Sequence, residues 1–334
     1  MRYFCTYFDH RYLPHGLALY ESLKQHCPEF RFWILCLDRR THEVLSALML
    51  PKVRLIKLEE FERDDPSLQQ AKANRSLVEY YFTCTPSLPL FVLRNNPKVD
   101  LITYLDADLF FFSSVEPLFS EIADRSIAII AHKFPARFQQ AERFGIFNVG
   151  WVTFRRDDEG LSCLQRWRAQ CLEWCSDRSD DDRFADQKYL DDWPARFQNL
   201  IVLQHKGANL APWNLANYKM SFRPGAVYVD DEPLIFFHFQ GLKQISGHLY
   251  DNQFKHYGVT ASKLIVRRIY APYVQKISRF AKRIGKRDGQ YRLRPLRRES
   301  DNGDSDLPVA LFSKLTAQRL RRRHYFVVVS GRIL

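Results

Sequence analysis

The chain has 334 residues, 46% of them hydrophobic and 14% aromatic, enough to bury a large core in one big or two modest domains. No stretch approaches the roughly 20 consecutive apolar residues of a membrane span, and residues 1–10, with Asp9 early and no long apolar run, read as a first strand rather than a signal peptide, so the expected location is the cytoplasm. The net charge of +12 sits at one end: residues 261–334 hold 19 Lys and Arg against 5 Asp and Glu, a charge of +14, which leaves −2 for residues 1–260.

In chain order, residues 3–7 alternate as a strand, 17–27 carry apolar residues at helical spacing, and 30–37 form a second apolar strand ending at Asp38. A helix over 41–50 and a strand over 53–58 continue the alternation. This order predicts an α/β fold built on parallel βαβ units, with ligands at the carboxyl ends of the strands. The first such end, residues 7–16, is rich in aromatic and polar groups and lacks a Gly-rich phosphate fingerprint, which argues against a classical dinucleotide fold and offers Tyr12 as a platform for a base. A helix is expected over 71–84, stopping before Pro86.

Residues 101–105 form the central strand, and Asp106 and Asp108 follow it within an apolar run. On an extended segment residues i and i+2 share a face, about 6.6 Å apart at Cα. A divalent cation held there, alone or with a diphosphate, would compensate two carboxylates that are costly to bury, and hard oxygen ligands suit Mg²⁺ or Mn²⁺. The alternative is a strand that ends at Leu105 and a turn with two solvated aspartates.

Residues 127–131 form another strand, and 144–154 an apolar segment punctuated by Asn148, Gly145 and Gly150, where glycine marks a close approach. The helix expected over 161–175 places Trp167 and Trp174 in a core. Residues 176–182 form an acidic loop, Asp186 and Gln187 lie in a short helix over 184–190, and residues 234–239 form a buried strand carrying His238. A lone histidine in such a strand is most often a satisfied core residue. The seven cysteines show no paired metal spacing and read as reduced, mostly buried thiols.

Taken together, Asp-x-Asp at a strand end, Phe147-Asn148-x-Gly150, Asp186-Gln187 and His238-x-x-Gly241 occur in that order. This resembles the GT-A fold of nucleotide-diphosphosugar glycosyltransferases, and within it the family 8 type, over residues 1–257. The resemblance implies a mixed, mostly parallel central sheet flanked by helices, with residues 258–334 as a basic, partly amphipathic extension. It implies Asp106, Asp108 and His238 as ligands of Mn²⁺ or Mg²⁺, with Asp106 also facing the ribose. Thr6, Tyr7 and Tyr12 would hold the base and ribose, and Arg75 and Lys243 the diphosphate. Asn148 would contact the donor sugar, and Asp186 and Gln187 would sit beside the transferred sugar. The family pattern is His-x-x-Gly-x-x-Lys, whereas here Lys243 comes one place early.

The expected activity is transfer of a sugar from a nucleotide donor, UDP-linked and with retention, to a glycan or lipid-linked acceptor in surface polysaccharide synthesis. The alternative is a catalytically inactive glycan-binding or scaffold protein on a transferase fold. A metal-dependent phosphohydrolase would need more acidic or histidine ligands than the chain assembles. Residues 264–284 alternate apolar and basic residues, interrupted at Pro272. They suit either an anionic membrane surface, the inner face in a cytoplasmic protein, or a helix packed on the body with a solvated basic face. Residues 285–306 read as a linker, and Arg319, Arg321, Arg322 and Arg323 accompany no nucleic-acid module, so no specific nucleic-acid partner is expected.

Overall fold

The computed structural model describes residues 1–180, 182–246, 249–287, 325–329 and 332–333. The first half runs β1 (Arg2–Phe8), α1 (Leu13–His26), β2 (Phe30–Cys36), α2 (Arg39–Leu48), β3 (Val53–Lys57), α3 (Leu58–Glu62), α4 (Pro66–Asn74), α5 (Leu77–Asn95) and β4 (Leu101–Leu105). A turn leads to β5 (Leu109–Phe111), then α6 (Glu116–Ile122), β6 (Ile127–Ala131), β7 (Phe147–Arg155), α7 (Asp158–Glu173), α8 (Trp193–Arg196) and β8 (Leu200–Leu203). The remainder holds β9 (Met220–Arg223), β10 (Ala226–Val229), β11 (Glu232–Pro233), β12 (Phe236–His238), β13 (Lys243–Ser246), β14 (Leu249–Asp251), α9 (Ala271–Arg287), β15 (Tyr325–Val329) and β16 (Arg332–Ile333).

The central seven-stranded sheet has the order β3-β2-β1-β4-β7-β6-β8. Only β7 runs against its neighbours, β4 and β6, so the sheet is mixed and mostly parallel, as expected. Helices cover both faces, which is why the strands read as nearly continuous apolar runs. On β1, Phe4 enters the core layer that contains Leu17 and Tyr20 of α1, and Cys5 the opposite layer with Leu88 of α5 and Trp167 of α7. All seven cysteines are free and buried, in agreement with the sequence.

Two helices depart from expectation. The segment expected as one helix over 71–84 is two, broken at Arg75 and Ser76, because Ser76 and Glu79 form a capping box that starts α5 afresh. α5 then runs through Pro86 and Pro89 instead of stopping. Each proline removes a helical N–H. Burial of nearly every residue from Thr83 to Leu93, with back-bonds from Thr83 to the Glu79 carbonyl and from Ser87 to that of Thr83, holds the helix together.

The basic amphipathic segment is a helix packed on the body. A π-helical turn, Ile265–Tyr270, precedes Pro272 and leads into α9. Tyr273, Val274, Ile277, Phe280 and Ile284 are buried, and the Tyr273 hydroxyl is hydrogen-bonded to Nδ1 of His15 on α1 at 2.8 Å. Arg279, Lys282, Arg283 and Lys286 line one outward face. The rest of the expected linker and the Arg319 to Arg323 cluster lie outside the described residues, and no helix among the described residues is long and apolar enough to cross a membrane.

Candidate metal and donor site

β4 is buried throughout and ends at Leu105, after which Asp106, Ala107 and Asp108 turn the chain into β5. The Asp106 N–H donates to the Gly150 carbonyl at 3.2 Å, and the Asp106 carbonyl accepts from the Leu109 N–H at 3.3 Å. The two aspartates therefore sit in a turn rather than on an extended face. They are not freely solvated, since the side chains are 31% and 14% exposed for Asp106 and Asp108. Apolar residues on both sides explain this, because β5 pairs antiparallel with β12 and closes the turn from the other side.

That pairing sets His238 opposite Leu109, and the Phe239 N–H donates to the Asp108 carbonyl at 3.0 Å. His238 Nε2 consequently lies 3.1 Å from Asp108 Oδ1 and 3.6 Å from Asp106 Oδ2. One ligand atom from each residue falls within 4.8 Å of the others. Burial works to lower the basicity of His238, but the charges of Asp108 and Asp106 and the hydrogen bond to Asp108 raise it above its usual value. Asp106 is held above the ordinary carboxylate range by burial and by the charge of Asp108, and Tyr104 donates to its Oδ1 at 2.9 Å. For Asp108, burial is outweighed by His238, and its value is lowered. Two partly buried carboxylates and one imidazole nitrogen converging on one point suit a hard divalent cation.

Around His238 is a continuous hydrogen-bond network. Its Nδ1 lies 3.2 Å from Asn148 Oδ1, which also accepts the Gly150 N–H at 3.0 Å. The Asn148 amide nitrogen donates to His132 Nε2 at 3.2 Å and to Gln187 Oε1 at 3.3 Å, and Gln187 Nε2 donates to the Phe144 carbonyl at 3.0 Å. Gly150 has to be glycine here, because a Cβ would stand 2.6 Å from Asn148 Oδ1 and 2.9 Å from His238 Nδ1.

Asp186 lies beside this network. It is buried, and burial pushes its carboxyl up to about 7 against a hydrogen bond from Thr85 that favours the charged form. Thr85 Oγ1 also meets the Tyr7 hydroxyl at 2.9 Å, so Tyr7, Thr85 and Asp186 join the first strand to the Asp-Gln segment. Trp167 Nε1 donates to the Asp186 carbonyl at 2.7 Å.

The remaining predicted residues divide. Tyr12 packs on His15, with ring centroids 5.0 Å apart, and feels the charge of Asp108. Thr6 is fully buried in β1, its hydroxyl without a partner among the described residues. Lys243 opens β13 just beyond Gly241, whose φ of +75° makes the turn after His238. Arg75, expected over the diphosphate, is elsewhere engaged: its guanidinium donates to the Cys171 and Leu172 carbonyls at 2.5 Å each and to Thr83 Oγ1, closing the end of α7. His132, Thr85 and Tyr104 carry no sequence signal, since each is an ordinary buried residue until tertiary contacts are known. Gly150 was signalled by its break in an apolar run.

No protein-family model matches the chain. It is 32% identical over 281 residues to the uncharacterized protein YfnD of Bacillus subtilis, covering 83% of this chain and 89% of YfnD. It is likewise 32% identical over 251 residues to the uncharacterized protein YfnF of the same organism, covering 73% and 82% of the two chains. Among solved structures it is similar to the galactosyltransferase LgtC in complex with donor and acceptor sugar analogs, at 17% identity and a TM-score of 0.48 over 72% of this chain and 87% of that one. It is also similar to mouse xyloside xylosyltransferase 1, at 15% identity and a TM-score of 0.47 over 72% and 98%.

Proposed function

Because the chain belongs to the same family as YfnD and YfnF, both uncharacterized, its chemistry has to be read from its own site, and we propose that it is a metal-dependent glycosyltransferase of GT-A type, most like family 8. The observation that carries this is the convergence of Asp106, Asp108 and His238 at the carboxyl end of β4. The donor is a nucleotide-diphosphosugar, UDP-linked in our reading, and the acceptor a glycan or lipid-linked oligosaccharide of surface polysaccharide. Residues 1–257 carry the transfer chemistry, and residues 258–334 carry a basic surface that meets anionic membrane from the cytoplasmic side.

Asp106, Asp108 and His238 would hold Mn²⁺ or Mg²⁺, which when bound neutralises the diphosphate and stabilises the departing nucleotide as a Lewis acid. Lys243 adds a cation to the same leaving group, while Tyr7 and Tyr12 flank the strand end where a base and ribose fit. Asp186, whose carboxyl burial pushes up to about 7, is a hydrogen-bonding neighbour of the sugar. Our reading is a retaining transfer, in which the leaving phosphate takes the acceptor proton; in an inverting transfer Asp186 would be the base. The presence of both aspartates and His238 at one point argues against a decayed scaffold.

The test is thermal stabilisation by nucleoside diphosphates and nucleotide sugars with and without Mn²⁺. A ligand at 100 times its dissociation constant adds about 2.7 kcal/mol. One nucleotide should raise the melting temperature only with metal, and Asp108→Asn should remove that shift while leaving the unliganded melting temperature within a few degrees. Absence of a shift with every nucleotide would favour the glycan-binding scaffold.

A further inference from the structure

Asn148 was expected to touch the donor sugar, but its hydrogen-bonding capacity is already used. A side-chain amide offers two acceptor positions and two N–H donors. Here Oδ1 accepts from the Gly150 N–H and from His238 Nδ1, and Nδ2 donates to His132 and Gln187, at 3.0 to 3.3 Å. The residue is 3% exposed. A sugar hydroxyl could bond to it only by displacing one of these four partners.

The orientation of the amide follows from its neighbours. The Gly150 N–H can only donate, so the atom it meets is oxygen, and that oxygen in turn needs a proton on His238 Nδ1. His132 fits the opposite end: its Nδ1 lies 3.3 Å from the Ile146 carbonyl and carries the proton, leaving Nε2 to accept from Asn148. We infer that Asn148 is a positioning residue, which fixes a proton on Nδ1 of His238 so that Nε2 faces Asp106 and Asp108 and ties that imidazole to Gln187. The inference rests on the metal-site reading above. Its logic is that of a histidine ligand held by the hydrogen bond on its other nitrogen, a contact whose loss typically weakens metal affinity about 10- to 100-fold.

The experiment is Mn²⁺ binding to the whole chain, measured by the loss of free-ion electron paramagnetic resonance signal, for wild type and Asn148→Ala, followed by donor kinetics at graded Mn²⁺. A weakening of Mn²⁺ affinity by about 10-fold or more, with transfer recovering as Mn²⁺ is raised, supports positioning. Unchanged Mn²⁺ affinity with a fall in transfer that saturating metal does not restore would mean that Asn148 acts on the sugar, and would overturn it. A wild type that binds no Mn²⁺ would remove the metal site itself, a separate result. Should the alanine variant not fold, ¹⁵N spectra of the wild-type imidazoles decide: His238 Nδ1 should carry a proton in both metal-stripped and Mg²⁺-saturated protein. A bare Nδ1 there overturns the inference.

Discussion

At the scale of residues, the site is a small number of groups whose ionisation depends on burial. Asp186 is the clearest case. With its carboxyl pushed from the usual 3.8 up to about 7, the folded protein keeps a proton that the unfolded chain releases near pH 4. Between those values stability falls as pH rises, by up to about 1.4 kcal/mol per pH unit, and above pH 7 the penalty levels off on the order of 4 kcal/mol. Asp186→Asn should therefore be more stable than wild type in urea unfolding at pH 8, with the gain shrinking towards pH 4. Parallel stability curves for the two proteins would show that the carboxyl ionises normally. Arg75 makes the complementary point. Arg75→Ala should lose about 2 kcal/mol of stability, because charge-assisted bonds to two buried-end carbonyls disappear, while leaving metal-dependent nucleotide affinity unchanged. A drop in nucleotide affinity would return Arg75 to the diphosphate.

At the scale of elements, two pairings make the site. Hydrogen bonding of β12 to β5 brings His238 to a turn 130 positions earlier in the chain, and antiparallel β7 sets Gly150 and Asn148 against the same turn. Sequence spacing contains neither register. It does contain the local rules that build the parts: apolar runs for strands buried on both faces, and a Ser-x-x-Glu box at the start of α5. Where those rules failed, burial overrode propensity. Pro86 and Pro89 would end an isolated helix, but α5 is packed against the sheet and against α7, and its buried contacts outweigh two missing N–H groups.

At the scale of the whole molecule, α9 belongs to the body that carries the site. Tyr273 stacks on Phe239 with ring centroids 3.8 Å apart and meets Phe110, so one side chain touches the residue after His238 and the strand after Asp108. Removing residues 258–334 exposes the core partners of Tyr273, Val274, Ile277, Phe280 and Ile284. At about 1.5 to 3 kcal/mol for each buried side chain that loss rivals the whole stability of a domain. The shortened chain should show no cooperative thermal transition, and a sharp melt near that of the full chain would mean that α9 is an accessory. The opposite, basic face is free of this duty. Replacing Arg279, Lys282, Arg283 and Lys286 together with Glu should abolish co-sedimentation with vesicles containing anionic lipid, since each cation near the surface adds about 1 kcal/mol, while the melting temperature barely moves. Retained sedimentation would locate membrane attachment elsewhere or exclude it.

The sequence by itself determined the strand and helix alternation, the paired aspartates at a buried strand end, and the separation of a nearly neutral body from a basic end, because these depend on short-range pattern and on counting charge. Only the tertiary structure decided that the aspartates lie in a closed turn and that His238 reaches them. It also decided that Arg75 closes a helix, that Asn148 has no bond left for a ligand, and that the basic segment is folded onto the body. Each of these depends on strand register and side-chain packing between distant parts of the chain, which no local spacing encodes.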